Sequence, residues 1–355
     1  MVHRHHARET AMRRAFDPRS FLVLSLLIGS GRFCLAAEPG PDLLPTVGSI
    51  ERLDPRLDTL VPKDATIEVL AMGFDWAEGP VWVPDGKGGL PAGSLLFSDI
   101  PRNRVHRWKA GEGVSVFLEP SGFTGPAAYG KERGSNGLAI DREGRLISCE
   151  HGDRRVSRLE PEGGKRTLAD AWQGKRFNSP NDLVVHSSGA IYFTDPPYGL
   201  PKGADDPRRE IDFCGVYRIG VDGGVTLLAR SMTRPNGLGF SPDEKKLYVA
   251  QSDPQAPLWK VFGVQADGTL DEGKTFFDAA MLLKTRRGLP DGMAVDPAGN
   301  LFATGPGGVL VFAPDGTHLG TLLTGQATAN CAFGEDGRTL FITADSLLCR
   351  VRLTR

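Results

Sequence analysis

Six times along this chain, a short phrase opening on Asn, Asp or Glu leads through a turn into an apolar, strand-like run. The phrases begin at Glu78 (EGPVW), Asn136 (NGLAID), Asn181 (NDLVVH), Asn236 (NGLGFS), Asp291 (DGMAVD) and Asn330 (NCAFGE). The runs that answer them are LLFSD, RLISCE, AIYFTD, KLYVAQ, NLFATG and TLFITA. Successive phrases start 58, 45, 55, 55 and 39 residues apart. A unit of that length is about one four-stranded propeller blade, typically ~40–50 residues. The repeat therefore predicts an all-β fold, a six-bladed β-propeller with a metal site in its central channel. If equivalent positions stand equivalently around an axis, six amide or carboxylate oxygens face that channel.

Composition is compatible with this architecture. Of 355 residues, 40% are hydrophobic and 24% charged, enough apolar material for a large core. The 45 Gly and 26 Pro suit many short strands joined by tight turns. A net charge of -1 gives no electrostatic reason to expect a nucleic acid or an acidic membrane as partner. Nothing in the sequence specifies an oligomeric state.

Residues 1–37 read as a signal peptide. Basic residues (Arg4, Arg8, Arg13, Arg14) precede the apolar run 21–28, and Cys34-Leu35-Ala36-Ala37 supplies small residues for cleavage. That run is too short to span a bilayer. Met12 is an alternative start. The expectation is an exported chain, periplasmic or secreted, free of the membrane once the signal is removed. Cys149, Cys214, Cys331 and Cys349 follow the signal without CxxC spacing, which argues against structural zinc or attached haem. Buried free thiols are expected, with a Cys331–Cys349 pairing as the alternative.

Residues 38–65 form an N-terminal wrapping segment, and 66–355 the propeller. The strand-like run 66–72 is expected to close the ring by joining the last blade, which hides exposed edges. Alternating runs such as RVHRW, RRVSRL, GVYRI and GVLVF supply further strands. No helical stretch of length is expected.

The chemistry is expected in the phrases. A strand near the axis packs its apolar residues between blades, so a polar side chain at its start must find a partner or face the channel. Glu78, Asn181, Asn236 and Asp291 are hard oxygen donors, and two carboxylates with two amides suit Ca²⁺, with Zn²⁺, Mn²⁺ or Mg²⁺ as alternatives. Asn-Gly and Asp-Gly are also ordinary turn dipeptides. Their recurrence in register before an apolar strand favours the ligand reading. Asn136 and Asn330 complete the ring as turn-holding or channel-lining residues.

AEGPVW, SPNDLVV, RPNGLGFSPDE and LPDGMAVDPAGNL, in this order, resemble the senescence marker protein, regucalcin and gluconolactonase family. LLFSDIPRNRVHRW, CEHGDRRV and IYFTDPPYG are similar to its bacterial gluconolactonase branch. The resemblance implies a six-bladed propeller with one divalent cation in the channel. It implies Glu78, Asn236 and Asp291 as metal ligands, Asp291 also as the catalytic acid-base residue, and Asn181 as a ligand or substrate contact. The family's Arg close before that Asn is displaced here to Arg176, so Asn136, His151, Arg154 and Tyr198 become the substrate-binding candidates.

The activity implied is hydrolysis of a sugar lactone, its carbonyl polarised by the cation and attacked by an activated water. Asp291 would carry the proton, or His151 if it reaches the site. The alternatives are a phosphotriesterase-type hydrolase on the same calcium propeller, a non-catalytic sugar- or peptide-binding propeller, and a quinone-dependent sugar dehydrogenase. The last should show a cluster of basic and His residues, and only scattered ones are present.

Overall fold

The computed structural model describes residues 44–354; the expected signal peptide and the first residues of the wrapping segment lie outside the described residues. Six antiparallel sheets surround a channel, the four strands of blades 1 to 5 each laid down from the axis outwards, and Ala171–Trp172 pairs with Lys175–Arg176 as a separate two-stranded sheet. Blade 1 comprises Ala77–Val83, Ser94–Asp99, Arg104–Lys109 and Gly113–Leu118. Blade 2 comprises Ser135–Ile140, Leu146–Glu150, Arg155–Leu159 and Lys165–Ala169, and blade 3 Leu183–Val185, Ile191–Asp195, Gly215–Ile219 and Val225–Ala229. Blade 4 comprises Pro235–Phe240, Lys246–Gln251, Leu258–Gly263 and Lys274–Asp278, and blade 5 Met293–Val295, Leu301–Gly305, Gly308–Phe312 and His318–Leu323. Blade 6 has Thr328–Gly334, Thr339–Ala344 and Leu347–Arg352 from the C-terminal end of the chain, and its fourth strand, Ile67–Met72, comes from the N-terminal side. That pairing closes the ring as the edge-hiding argument requires.

The segment before the ring-closing strand lies on the periphery. Thr46–Val47 adds a fifth strand to blade 6, and Ser49–Arg52 pairs with His318–Leu323 as a fifth strand of blade 5. Among the described residues the α-helix content is one four-residue turn, Ala280–Leu283, and no helix is long and apolar enough to cross a membrane.

Burial explains the sequence pattern blade by blade. The second strands are largely apolar because neighbouring blades cover both of their faces: Leu301–Gly305 and Thr339–Ala344 are buried at every position. Tyr192 of blade 3, for example, packs with Leu247 and Val249 of blade 4. The cysteines belong to this core. All four are buried and free. Cys331 and Cys349 both stand opposite Ile342, on its two flanking strands, so roughly 9–10 Å separates them and a disulfide cannot form without moving backbone.

Candidate active site

Each polar phrase falls where the innermost strand begins, and the local backbone explains why its side chain faces the channel. In four blades the ladder is interrupted by a bulge at the phrase, between Glu78 and Val81, Ser135 and Leu138, Pro235 and Leu238, and Thr328 and Asn330. A bulge re-aims a side chain out of the strict in-out alternation. In blades 3 and 5 the strand starts only after the phrase residue, at Leu183 and Met293, leaving Asn181 and Asp291 ahead of the pleat.

The glycine after the phrase residue does steric work. Asn136-Gly137 and Asn236-Gly237 lie inside innermost strands rather than in turns. A Cβ at Gly137 would stand 2.4 Å from Asp182 Oδ1, and one at Gly237 would stand 2.3 Å from the Asp291 carbonyl oxygen. Only glycine permits the inner strands to approach this closely. Hydroxyls of the second strands fix the same region: Ser98 donates to the Asn136 carbonyl, and Thr194 to the Asn236 carbonyl, both at 2.8 Å. Ser98, Thr194 and Thr304, which donates to the Ala329 carbonyl at 2.8 Å, thus each tie one blade to the next.

These elements line a cavity of about 490 Å³ whose wall includes Glu78, Glu132, Asn136, Asn181, Tyr198, Arg234, Asn236, Ser252 and Asp291, with Trp76, Ile100, Leu283 and Leu289 as apolar wall. Asn181 lines this cavity while its neighbour Asp182 lines a smaller one of about 180 Å³ with Asn330 and apolar side chains. The polar ring therefore divides the channel. Asn330 reaches across the axis to donate to Asp182 at 3.3 Å, and its own oxygen accepts from the Cys331 N–H at 2.8 Å. It braces the floor of the site.

The structure thus brings Glu78, Asn181, Asn236 and Asp291 to one cavity, with Asn136 and Tyr198 beside them. Glu78 Oε2 accepts from the Gly79 N–H at 2.6 Å, and Asn236 Nδ2 donates to Ser252 Oγ at 2.9 Å. Asn181 Oδ1 and Asp291 Oδ1 are buried with no hydrogen-bond partner in the protein. Burial, then repulsion from other carboxylates, pushes the carboxyls of both Glu78 and Asp291 up. No group of three His, Cys, Asp or Glu side chains converges as a metal site among the described residues. The donor set here is instead two acids with two amides, and its orphaned hard oxygens fit a divalent cation of the Ca²⁺ type.

Two predicted substrate contacts lie elsewhere. His151 is completely buried behind the wall, with Nε2 3.4 Å from Asn136 Nδ2 and Nδ1 3.7 Å from the Glu132 carboxylate. Burial pushes its imidazole down to about 4. Arg154 faces a different cavity with Tyr129, Arg176 and Arg208. Its guanidinium is spent on backbone carbonyls, donating to Phe177 at 2.7 Å and Arg208 at 3.0 Å, and it does not line the channel cavity. Sequence reasoning missed Glu132, Ser252, Arg234 and Trp76. Asp182 and Arg234 each adjoin a recognised phrase and were within reach; Glu132 sits in the KERGSNG loop, where no repeat marks it.

The chain matches the SMP-30/gluconolactonase/LRE-like region over residues 76–346. It is 43% identical to a gluconolactonase of Zymomonas mobilis, over 86% of each chain, and 28% identical to the pentonolactonase XacC of Haloferax volcanii, over 75% of this chain and 80% of that one. A Xanthomonas campestris gluconolactonase of solved structure superposes with a TM-score of 0.75 at 33% identity, covering 89% of this chain and 99% of its own. A calcium-binding regucalcin of Agrobacterium tumefaciens, 19% identical with a TM-score of 0.63, over 81% of this chain and 94% of its own, shares the fold. On this sequence match and this propeller, the chain belongs to the SMP-30/gluconolactonase/LRE-like family.

Proposed function

We propose that this protein is a lactonase that opens a sugar lactone, with a divalent cation held by Glu78, Asn181, Asn236 and Asp291. The observation that carries the reading is the pair of buried, unpartnered oxygens on Asn181 and Asp291, in the cavity that also receives Glu78 and Asn236. Relatives named gluconolactonase and pentonolactonase support the substrate class. When bound, such a cation supplies Lewis-acid polarisation of a carbonyl oxygen.

The chain's own residues account for binding and orientation. Trp76, Ile100, Leu283 and Leu289 give apolar surface for the C–H faces of a sugar ring. Asn136, Tyr198 and Arg234 present donors around it. The Tyr198 hydroxyl is buried without a partner, and burial pushes its phenol well up, so it stays a donor at neutral pH. Ser252 fixes the amide of Asn236, leaving that side chain's oxygen for the cavity. The basic and apolar N-terminal sequence adds a proposal of export, with cleavage near residue 37, which N-terminal sequencing of protein from the periplasm or medium would check.

The test is a panel of aldonolactones assayed on metal-stripped protein with Ca²⁺, Zn²⁺, Mn²⁺ and Mg²⁺ restored in turn. Cation-dependent turnover is expected, abolished together with cation binding in Asp291→Ala. Inactivity on every lactone with every cation would overturn the reading in favour of a binding propeller, and turnover of organophosphates alone would favour a phosphotriesterase.

A further inference from the structure

One acidic side chain on the cavity wall has no part in the cation's oxygen set. Glu132 lines the same cavity as Glu78 and Asp291 and comes from the loop 120–134, which joins blade 1 to blade 2. Its carboxylate lies 3.7 Å from Nδ1 of the buried His151. That nitrogen has no partner at good hydrogen-bond geometry, and the backbone carbonyl of Glu132 stands beside it as well as the carboxylate. The opposite ring nitrogen, Nε2, stands 3.4 Å from the Asn136 amide nitrogen. An amide NH₂ can only donate, so Nε2 carries the lone pair and Nδ1 the proton. The imidazole N–H therefore points towards Glu132.

The backbone around this pair is fixed from several sides. At the near end of the loop, Asn103 Oδ1 accepts the N–H groups of Ser121, Gly122 and Phe123, at 3.1, 2.8 and 3.1 Å. At the far end, the Gly134 N–H donates to the Ile100 carbonyl at 2.9 Å, and its carbonyl accepts from the His151 N–H at 3.1 Å. The Gly152 N–H donates to the Arg133 carbonyl at 3.2 Å. Glu132 thus immediately precedes two residues, Arg133 and Gly134, whose backbone is hydrogen-bonded to Ile100, His151 and Gly152.

Resting on the lactonase reading above, we propose that Glu132 is the acid-base residue of the reaction and that His151 is its positioning residue. The other acids on the wall, Glu78 and Asp291, belong to the cation cradle, and a carboxylate that ligates a cation is a weak base. His151 itself is sealed from the cavity. Desolvation pushes the half-buried Glu132 carboxyl up to about 7, a value suited to accepting and returning a proton near neutrality. The charged groups that share its cavity are Glu78, Asp291 and Arg234, and the imidazole of His151 behind the wall is uncharged near neutrality.

In the first step the Glu132 carboxylate takes one proton from a water whose oxygen forms a bond to the lactone carbonyl carbon, while the C=O π pair moves onto the carbonyl oxygen. In the second step the C=O bond re-forms and the ring C–O bond breaks. The proton passes from Glu132 to the departing ring oxygen, which restores the carboxylate. Lactone and water become one hydroxy acid, which then ionises in solution.

The experiment compares wild type with Glu132→Gln and Glu132→Ala at saturating Ca²⁺, on whichever aldonolactone the wild type turns over. In Glu132→Gln, kcat is expected to fall about 10²–10⁴-fold and the acid limb of the kcat/KM pH profile to vanish. Calorimetric Ca²⁺ affinity is expected to stay within about threefold of wild type, since Glu132 is outside the cradle. Added formate is expected to restore part of the turnover of Glu132→Ala, as a small base filling the vacated space. A Glu132→Gln enzyme with kcat within about threefold of wild type overturns the proposal while leaving the lactonase reading intact. So does loss of Ca²⁺ binding in step with activity, which would make Glu132 structural. A wild type inert on all lactones overturns both.

Discussion

Asn236 donates through Nδ2 to Ser252 Oγ at 2.9 Å, and Ser252 in turn donates to the carbonyl of Pro290, the residue before Asp291. One hydroxyl therefore orients a side chain of blade 4 and the backbone that presents one from blade 5. Residues that orient a ligating group typically change affinity ~10–100-fold when removed. Ser252→Ala is expected to weaken Ca²⁺ binding by about tenfold with little change in thermal stability of the cation-free protein. Calorimetric titration checks it; an unchanged affinity would mean that Asn236 is oriented without Ser252.

The cation-free protein should carry a pH-dependent penalty in its channel. Burial, followed by repulsion from Asp182, raises the Glu78 carboxyl; burial, followed by repulsion from Glu78, raises that of Asp291. A carboxyl with a raised value in the fold binds its proton more tightly there than in the unfolded chain. Stability is then lost as pH climbs from the ordinary carboxylate value of about 4.3 towards the raised one. Glu78→Gln removes one of the two charges. In chelator-treated protein its Tm should exceed that of wild type by an amount that grows from pH 5 to pH 8, and Ca²⁺ should reverse the order by stabilising only the wild type. A constant difference across that range would disprove the coupling.

Much of this architecture was legible because a blade is a repeated packing problem. Second strands such as NLFATG and TLFITA are largely apolar because blades cover both faces, and the phrases stand where the chain meets the axis. The site was legible to the same extent. Glu78, Asn181, Asn236 and Asp291 recur in register, and the structure gathers them. Arg154 lies apart from this cavity: a cationic side chain in a motif says nothing about which way it points, and here it holds the Phe177 and Arg208 carbonyls. Glu132 was invisible for the opposite reason. It belongs to an inter-blade loop, whose sequence obeys no period, and only the hydrogen bonds of Asn103, Gly134 and Gly152 bring it to the wall.

The glycines following the phrase residues make a separate prediction. Gly237→Ala would place a methyl group 2.3 Å from the Asp291 carbonyl oxygen and 2.5 Å from Gly292 Cα. Both obstacles are backbone leading into the neighbouring inner strand, which cannot rotate away as a side chain would. The substitution is expected to cost at least the ~1–3 kcal/mol typical of overpacking and to displace Asp291, lowering both the urea midpoint and Ca²⁺ affinity. A wild-type midpoint would show that these two blades can separate freely there, contrary to the bracing of Pro290 by Ser252.

Asn103 offers a way to move Glu132 without touching it. It adopts a left-handed backbone conformation, φ 60°, which Asn tolerates better than Ala, and its Oδ1 receives three loop N–H groups while Nδ2 donates to the Phe123 carbonyl at 2.8 Å. Asn103→Ala strands those donors and adds backbone strain, a loss of about 2–3 kcal/mol by the cost of unmade buried hydrogen bonds. The cation cradle is anchored elsewhere, so Ca²⁺ affinity should hold while kcat falls. Asn103→Asp keeps the accepting oxygen and should recover most of both stability and turnover. Equal kcat in wild type and Asn103→Ala, measured where both are folded, would show that the loop's anchorage has no bearing on catalysis.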